Sequence, residues 1–126
     1  MLRSARGRCN LSRMAGDLVY FTIGVPDSER GRAFYQSVFG WAFAPGNIAG
    51  GYHITGTNPS GGMHTGGSAP GFRPYFQVED ITAAVDRVRM CGGTAGEIKG
   101  SPESGSYADC ADDQGTEFSL FQSPSG

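Results

Sequence analysis

Hydrophobic and polar positions alternate in two short stretches of this chain, and the two stretches match each other. In YFTIGVPD, at 20–27, apolar residues alternate with polar or small ones, which is the pattern of a half-buried strand. RPYFQVED, at 73–80, matches this stretch at a constant offset of 53 residues, so that Asp27 corresponds to Asp80. Each aspartate can cap a helix that follows the strand. The chain therefore predicts two copies of one structural unit.

A helical pattern follows each strand. The second helix carries four apolar residues at the spacing of one helix face, namely Ile81, Ala84, Val85 and Val88. In the first helix, Phe34 and Val38, with Ala33 beside them, are the candidates for the buried face. Gly40 and the pair 92–93 are expected to end the two helices, because glycine readily adopts the left-handed conformation of a C-terminal cap.

Short glycine-punctuated segments follow each helix and predict three further strands per copy. We expect these strands near 41–45, 50–56, 62–66, 94–98, 105–111 and 116–122. The predicted fold class is α+β, with two tandem βαβββ modules at 18–67 and 72–122 and a linker at 68–71. One helix covers one face of each sheet, so two modules can close around the other faces and form a cavity for a small ligand.

Size and charge are consistent with one compact domain. The chain has 126 residues, of which 38% are hydrophobic and 17% charged. Four arginines and no acid occur within residues 1–13, which we interpret as a disordered or artefactual leader before a single domain at 14–126. If the leader is artefactual, translation starts at Met14 rather than at Met1. The alternative interpretation of the leader is a nucleic-acid-binding arm or a transit peptide. The acidic remainder, without clustered cations, argues against nucleic-acid binding.

Cysteine usage and hydropathy bear on location. Cys9, Cys91 and Cys110 form no CxxC pair, which favours reduced thiols in a cytoplasmic protein. No segment approaches the roughly 18 apolar residues of a membrane span, and no secretory signal is visible. We expect a cytoplasmic protein that does not contact membranes.

Three stretches together resemble the vicinal oxygen chelate (VOC) superfamily. They are VPDSERGRAFYQSVFGW at 25–41, VEDITAAVDRVRMCGG at 78–93 and DDQGTEFSLFQ at 112–122. The superfamily includes glyoxalase I, extradiol dioxygenases, and fosfomycin and bleomycin resistance proteins. The resemblance implies paired βαβββ modules, a U-shaped cavity lined by sheet, and usually a homodimer.

The residues at the superfamily's metal-ligand positions are unusual. Metal-dependent members carry His or Glu on four cavity-facing strands; the matching residues here are Tyr20, Arg73, Ser119 and one of Met63, His64 or Thr65. Arginine repels a cation, serine is a weak ligand, and tyrosine would have to lose its proton. We therefore predict no catalytic metal and no cofactor. His53 lies on a different strand and is expected to be an ordinary strand residue.

Strand alternation around those positions predicts the lining of the cavity. The candidate ligand-binding residues are Tyr20, Thr22, His64, Arg73, Tyr75, Gln77, Glu117 and Ser119. Arg73 either pairs with Glu117 or holds a carboxylate or phosphate of the ligand. Tyr20 and Tyr75 are expected to be aromatic wall rather than acid–base groups. Trp41 is expected at the helix end or in a dimer interface.

Two functions remain open. The first is a metal-free small-molecule-binding protein of the VOC fold that sequesters an antibiotic or metabolite, as bleomycin resistance proteins do. The alternative is a glyoxalase I-type lyase or a dioxygenase-like enzyme. The expected partners are an anionic or aromatic small molecule and a second copy of the chain; a purely structural or regulatory role is the third possibility.

Overall fold

The computed structural model describes residues 16–46, 50–65 and 71–124. The predicted leader at 1–13 and Met14 lie outside the described residues, as do residues 68–70 of the predicted linker, whereas Gly71 begins a strand. The chain forms two compact units whose border falls between Pro74 and Tyr75. We call Leu18–Pro74 the N-terminal unit, and we call residues 16–17 with 75–124 the C-terminal unit.

The N-terminal unit is a βαβββ module followed by the start of the next strand. Its elements are β1 (Leu18–Val25), α1 (Ser28–Phe39), β2 (Ala42–Pro45), β3 (Tyr52–Thr55), β4 (Gly61–Thr65) and the first residues of β5 (Gly71–Gln77). The strand order is β2-β3-β4-β1, with β1 parallel to β4 and the other pairs antiparallel. The chain order βαβββ is the one that the sequence predicts for the first copy.

The buried side of this sheet lies under α1. Phe21, Ile23, Ile54 and Met63 form its core. Alternation along β1 places the first two of these residues on one face, as predicted. Trp41 stacks on Tyr35 of α1, with ring centroids 5.4 Å apart, so the predicted role of the tryptophan at the helix end is confirmed.

The predicted buried face of α1 is wrong. Phe34 and Val38 are 58% and 54% exposed. The helix instead turns Gly31 and Tyr35 toward the sheet; a Cβ at Gly31 would lie only 3.1 Å from the sulfur of Met63. The lack of a side chain at Gly31 lets α1 approach closely along that side, which leaves the more apolar side outward.

The C-terminal unit repeats the module and adds one strand. It contains the last residues of β5, α2 (Ile81–Met90), β6 (Thr94–Ala95), β7 (Lys99–Ser101), β8 (Gly105–Ala111) and β9 (Glu117–Gln122). The strand order is β5-β9-β8-β6, with β7 also paired to β8. The short β7 was not predicted, because KGS at 99–101 has no apolar alternation.

The predicted apolar face of α2 is confirmed. Its residues Ile81, Ala84 and Val85 are buried in one cluster with residues of β8 and β9, and Val88 packs against that cluster. Asp80 caps the helix by accepting a hydrogen bond from the backbone of Ala83, 3.1 Å away. The α+β class is therefore confirmed, and no helix in the described part of the chain is long and apolar enough to cross a membrane.

Two helix ends and two cysteines complete the fold. Gly40 caps α1 with φ 74°, as predicted. The expected glycines also end α2: Gly92 has φ 96°, and the backbone N–H of Gly93 donates a hydrogen bond to the carbonyl of Val88. Cys110 is a buried free thiol. Cys9 lies outside the described residues, so the expectation of reduced thiols stays a prediction beyond Cys110.

Candidate functional site

The sheet face opposite α1 carries the candidate residues of the N-terminal unit, and we call it the N-terminal open face. Ile23 and its β4 partner Met63 pack under α1, so their neighbours Thr22 and Gly62, which also pair, lie on the opposite face. Tyr20 shares this face with Thr22 because strand residues two apart point the same way. The face therefore brings together the two β1 residues that the sequence predicts.

The hydroxyl group of Tyr20 lies over Gly62. A Cβ at residue 62 would be 2.6 Å from that oxygen, so the tyrosine occupies the space that a side chain would fill. Burial raises the pKa of the Tyr20 phenol above its ordinary value. The phenol therefore keeps its proton across the physiological range and serves as a hydrogen-bonding group.

His64 is the one residue of the three β4 candidates that reaches the open face. Met63 is buried in the core under α1. Thr65 faces the helix side as well, since its hydroxyl oxygen accepts a hydrogen bond from the backbone N–H of Ser28 at 3.1 Å. His64, between them, is half-buried on the other side of the sheet. Of the three residues that the sequence allows at the fourth ligand position, strand register therefore selects His64.

His53 joins the same face, which the sequence analysis missed. Its neighbours on β3 point toward α1: Ile54 is fully buried, and the Tyr52 hydroxyl donates to Glu29 of the helix. His53 therefore points away from α1, and it pairs across the strands with Gly62. The alternation of YHIT at 52–55 carried this signal, but the residue was set aside because its strand lacks the superfamily's ligands.

Arg73 also belongs to the open side of the N-terminal unit. Its neighbour Phe72 stacks on Phe21, with ring centroids 5.4 Å apart, and Phe21 packs on the α1 side. Alternation along β5 then turns Arg73 to the opposite face, where it is half-buried. Whether the guanidinium pairs with Glu117 or with a ligand stays a prediction.

The corresponding face of the C-terminal unit, opposite α2, carries a row of three polar residues. Tyr75, Ser119 and Asp109 pair in register across β5, β9 and β8. Ser119 is fully buried, and its hydroxyl donates a hydrogen bond of 2.7 Å to the Asp109 carboxylate. Alternation places the remaining predicted residues of this unit, Gln77 and Glu117, on the same face.

Asp109 is a second residue that the sequence analysis missed. DCADD, at 109–113, has the acidic composition of a solvated turn, but its first three residues end β8. Only Asp112 organises the turn: it accepts hydrogen bonds from the backbone N–H groups of Gln114 and Thr116, which lower the pKa of its carboxyl group. The buried neighbours Ala108 and Cys110 could have placed Asp109 on the opposite face by alternation.

The residues at the superfamily's metal-ligand positions do not fit a divalent cation. Burial raises the pKa of the Tyr20 phenol, so it loses its proton less readily than an ordinary tyrosine, and the Ser119 hydroxyl already donates a hydrogen bond to Asp109. Arg73 is a permanent cation. The described residues also contain no group of three or more His, Cys, Asp or Glu side chains placed to hold a metal ion. The absence of a catalytic metal nevertheless stays a prediction.

Sequence comparison assigns the family. A family model described as a glyoxalase-like domain matches residues 20–121. The chain belongs to this glyoxalase-like family. The match spans both βαβββ modules and contains the candidate residues of both open faces. The resemblance to the VOC superfamily is thereby confirmed, whereas a comparison with curated protein sequences found no match.

Solved structures agree with this assignment at the level of the fold. Methylmalonyl-CoA epimerase from Mycobacterium tuberculosis superposes with a TM-score of 0.64 at 16% identity, covering 98% of this chain and 93% of the epimerase. A glyoxalase/bleomycin resistance protein/dioxygenase superfamily member from Vibrio splendidus gives 0.64 at 15% identity, covering 82% of this chain and 96% of that one. A 2,3-dioxygenase from Pseudomonas gives a TM-score of 0.61 at 14% identity. The superposition covers 86% of this chain but only 43% of the dioxygenase.

Proposed function

We propose that this glyoxalase-like protein binds a small organic molecule and does so without a metal ion at the superfamily's ligand positions. The observation that carries the proposal is the placement of Tyr20. Where metal-dependent relatives are expected to carry a ligand, this chain has a phenol whose pKa is raised by burial and whose hydroxyl reaches over Gly62. Such a group donates hydrogen bonds to a ligand and is a poor partner for a cation.

The two open faces supply the chemistry for this role. In the N-terminal unit, Thr22 and the two histidines can donate or accept hydrogen bonds on the same face as Tyr20. In the C-terminal unit, Asp109 offers a carboxylate whose orientation is fixed by the buried Ser119. Each face thus combines aromatic surface with a few positioned polar groups, which is typical of sites for small organic molecules.

A thermal-shift screen tests the proposal. Protein that carries no affinity tag and has been treated with a chelator is screened against organic metabolites and antibiotics. A ligand at one hundred times its Kd should stabilise the folded protein by about 2.7 kcal/mol. Tyr20→Phe and Ser119→Ala should weaken the effect, whereas Ser37→Ala, at an exposed position of α1, should not. A stabilisation that appears only after zinc, nickel, manganese or iron is added would contradict the proposal.

An enzymatic role is the second candidate, and one observation favours it. His53, His64 and Asp109 carry side chains of the kinds that act as general acids and bases in enzymes. The structural neighbours include an epimerase and a dioxygenase, and the family name points to glyoxalase-type lyases. Turnover of a methylglyoxal–glutathione hemithioacetal or of a catechol by chelator-treated protein would support this role over binding alone.

We also propose that the chain forms a homodimer. The outward side of α1 exposes Phe34, Val38 and Phe39, three large apolar residues on a single helix. Apolar surface of this kind is often covered by a partner. Sedimentation equilibrium at micromolar concentration should give twice the mass of the chain, and a monomer at all concentrations would contradict this proposal.

A further inference from the structure

The face of the C-terminal unit opposite α2, which we call the C-terminal open face, carries a second row beside Ser119 and Asp109. Phe121 on β9 pairs with Tyr107 on β8, and Tyr107 pairs in turn with Lys99 on β7. Each aromatic residue lies two positions along its strand from a residue of the first row, so both rows point to the same side of the sheet. The second row spans two strand spacings, about 10 Å, and ends in the only lysine of the chain.

Phe121 and Tyr107 form the apolar part of this row. The Phe121 ring reaches over Gly105, where a Cβ would lie 2.8 Å from the ring, so the glycine leaves the space that the ring occupies. Both aromatic side chains are half-buried. Among the described residues of the unit no helix lies over the row, because α2 packs on the opposite side of the sheet. The row therefore presents aromatic surface to a ligand.

The other end of the row carries two hydrogen-bond donors. The Lys99 ammonium group lies 5.9 Å from the centroid of the Tyr107 ring, which is close to the outer limit of a cation–π interaction. Apart from this contact, neither side chain has a hydrogen-bond or ion-pair partner among the described residues. The ammonium group and the phenol can therefore donate to the same acceptor on a ligand.

The carboxylates of the same face are held away from Lys99. The Asp109 carboxylate accepts its 2.7 Å hydrogen bond from Ser119 on β9, whereas Lys99 lies on β7, on the other side of β8. Glu117 pairs with Ala111, two rows away from the lysine. The positive charge at the edge of the aromatic row is thus complementary to an anionic group on a ligand.

We propose that this row binds an aromatic carboxylate, whose ring packs on Phe121 and whose carboxylate accepts hydrogen bonds from the Lys99 ammonium group and the Tyr107 hydroxyl. The inference rests on the proposed function and names the chemical class of its ligand. Hydrogen bonds to an ionised acceptor are stronger than those between neutral groups. Contact between two aromatic rings adds to the free energy of apolar burial, so the row selects for an acid that carries a ring.

Nuclear magnetic resonance of the lysine tests the inference. Because the chain has one lysine, reductive methylation with carbon-13 formaldehyde labels Lys99 and the N-terminal amino group, and both keep their charge. The probe is 2-naphthoate, and the control is 2-naphthalenemethanol, which has the same rings and no charge. At pH 7.5 the Lys99 signal should shift on titration with naphthoate but not with the alcohol. The N-terminal signal, which reports general charge attraction, should stay in place.

Variants of the unmethylated protein, titrated by calorimetry, locate the site. Lys99→Gln and Tyr107→Phe should each weaken naphthoate binding about two- to fivefold, as expected for one exposed charged contact. Phe121→Leu should remove the preference for naphthoate over cyclohexanecarboxylate. Arg30→Gln, at an exposed position of α1, should have no effect. Circular dichroism verifies that each variant folds, and the exposed position of Lys99 keeps the test decisive if Phe121→Leu does not.

The outcomes distinguish this inference from the proposed function. Naphthoate affinity that is unchanged in Lys99→Gln, or naphthalenemethanol that binds as tightly as naphthoate, would overturn the inference. If the thermal-shift screen nevertheless found a metal-independent ligand, the proposed function would stand without this subsite. Naphthoate binding at Lys99 together with a screen that succeeds only with added metal would support the subsite and contradict the proposed function.

Discussion

Tyr20 and Gly62 share one space: the tyrosine hydroxyl lies where a side chain on residue 62 would begin. A Cβ built on Gly62 would be 2.6 Å from the hydroxyl oxygen, well inside contact distance. The residue at the first-strand ligand position of the superfamily thus reaches across to β4. Tyr20 shares the N-terminal open face with His53 and His64, and its contact with Gly62 links the fold to the proposed function.

Alanine at residue 62 should displace Tyr20 without unfolding the protein. The hydroxyl is the far end of a side chain, so Gly62→Ala should cost about 1 kcal/mol, the lower end for added bulk in a packed site. The cost should fall in a Tyr20→Phe background, which a double-mutant cycle measures by urea unfolding.

Gly61→Ala provides the matched comparison. A Cβ there would be 2.6 Å from the ring of Phe21, which is buried in the core and cannot move aside. This variant should lose about 3 kcal/mol or more, and Tyr20→Phe should not relieve the loss. Equal costs at residues 61 and 62 would contradict the placement of Tyr20.

Removing the Ser119 hydroxyl should destabilise the C-terminal unit and loosen Asp109. The hydroxyl is fully buried and bonded to a carboxylate, so Ser119→Ala should cost about 1.5–3 kcal/mol of unfolding free energy. Asp109→Asn keeps an acceptor for the same hydroxyl and should cost less. Denaturant unfolding of both variants checks this order, and the reverse order would argue against the bond.

The contact of Glu29 with Tyr52 should make stability depend on pH in the acid range. The Tyr52 hydroxyl, and next Arg32, lower the pKa of the Glu29 carboxyl. A lowered pKa in the folded state adds stability above the ordinary glutamate value near 4.3, and this stability is lost as the pH falls through the folded value.

Tyr52→Phe tests this dependence. The variant should be less stable than the parent protein at pH 7, and the difference should shrink at pH 3. Urea unfolding at both pH values measures it, with Tyr107→Phe in the other unit as the control. A difference of the same size at pH 7 and pH 3 would count against the contact.

The two helices should respond differently to substitution of their apolar residues. In monomeric protein, Phe34→Gln and Val38→Gln alter exposed positions of α1 and should change the free energy of unfolding by no more than about 0.5 kcal/mol. Ile81→Ala opens the core under α2 and should cost about 2–5 kcal/mol. A large loss of stability for the α1 variants in monomeric protein would contradict this expectation and would favour the buried face predicted from the sequence.

Much of the fold follows from local patterns. Alternation in YFTIGV and in the last strand assigned the correct faces to Tyr20, Thr22 and Ser119, because a strand repeats every two residues whatever it packs against. The aspartate caps followed from the chemistry of helix starts. The buried face of α1 could not be predicted in this way. The close approach of Gly31 to Met63 depends on tertiary packing, and it buries Tyr35 rather than the more apolar Phe34.

The candidate site was only partly predictable. His53 and Asp109 lie on strands where the superfamily pattern led us to expect no functional residue, so the resemblance drew attention away from them. Their placement depends on register between strands, which puts His53 opposite Gly62 and Asp109 opposite Ser119. Register is a property of pairing and cannot be read from one strand alone.

The metal content of the purified protein tests the central claim most directly. The protein should be produced without an affinity tag, in cells supplied with zinc, nickel, manganese and iron, and measured by inductively coupled plasma mass spectrometry. With Tyr20, Arg73 and Ser119 at the ligand positions, we expect far less than one equivalent of any of these metals. A full equivalent of one metal that is lost in Tyr20→Phe or Ser119→Ala would contradict the account.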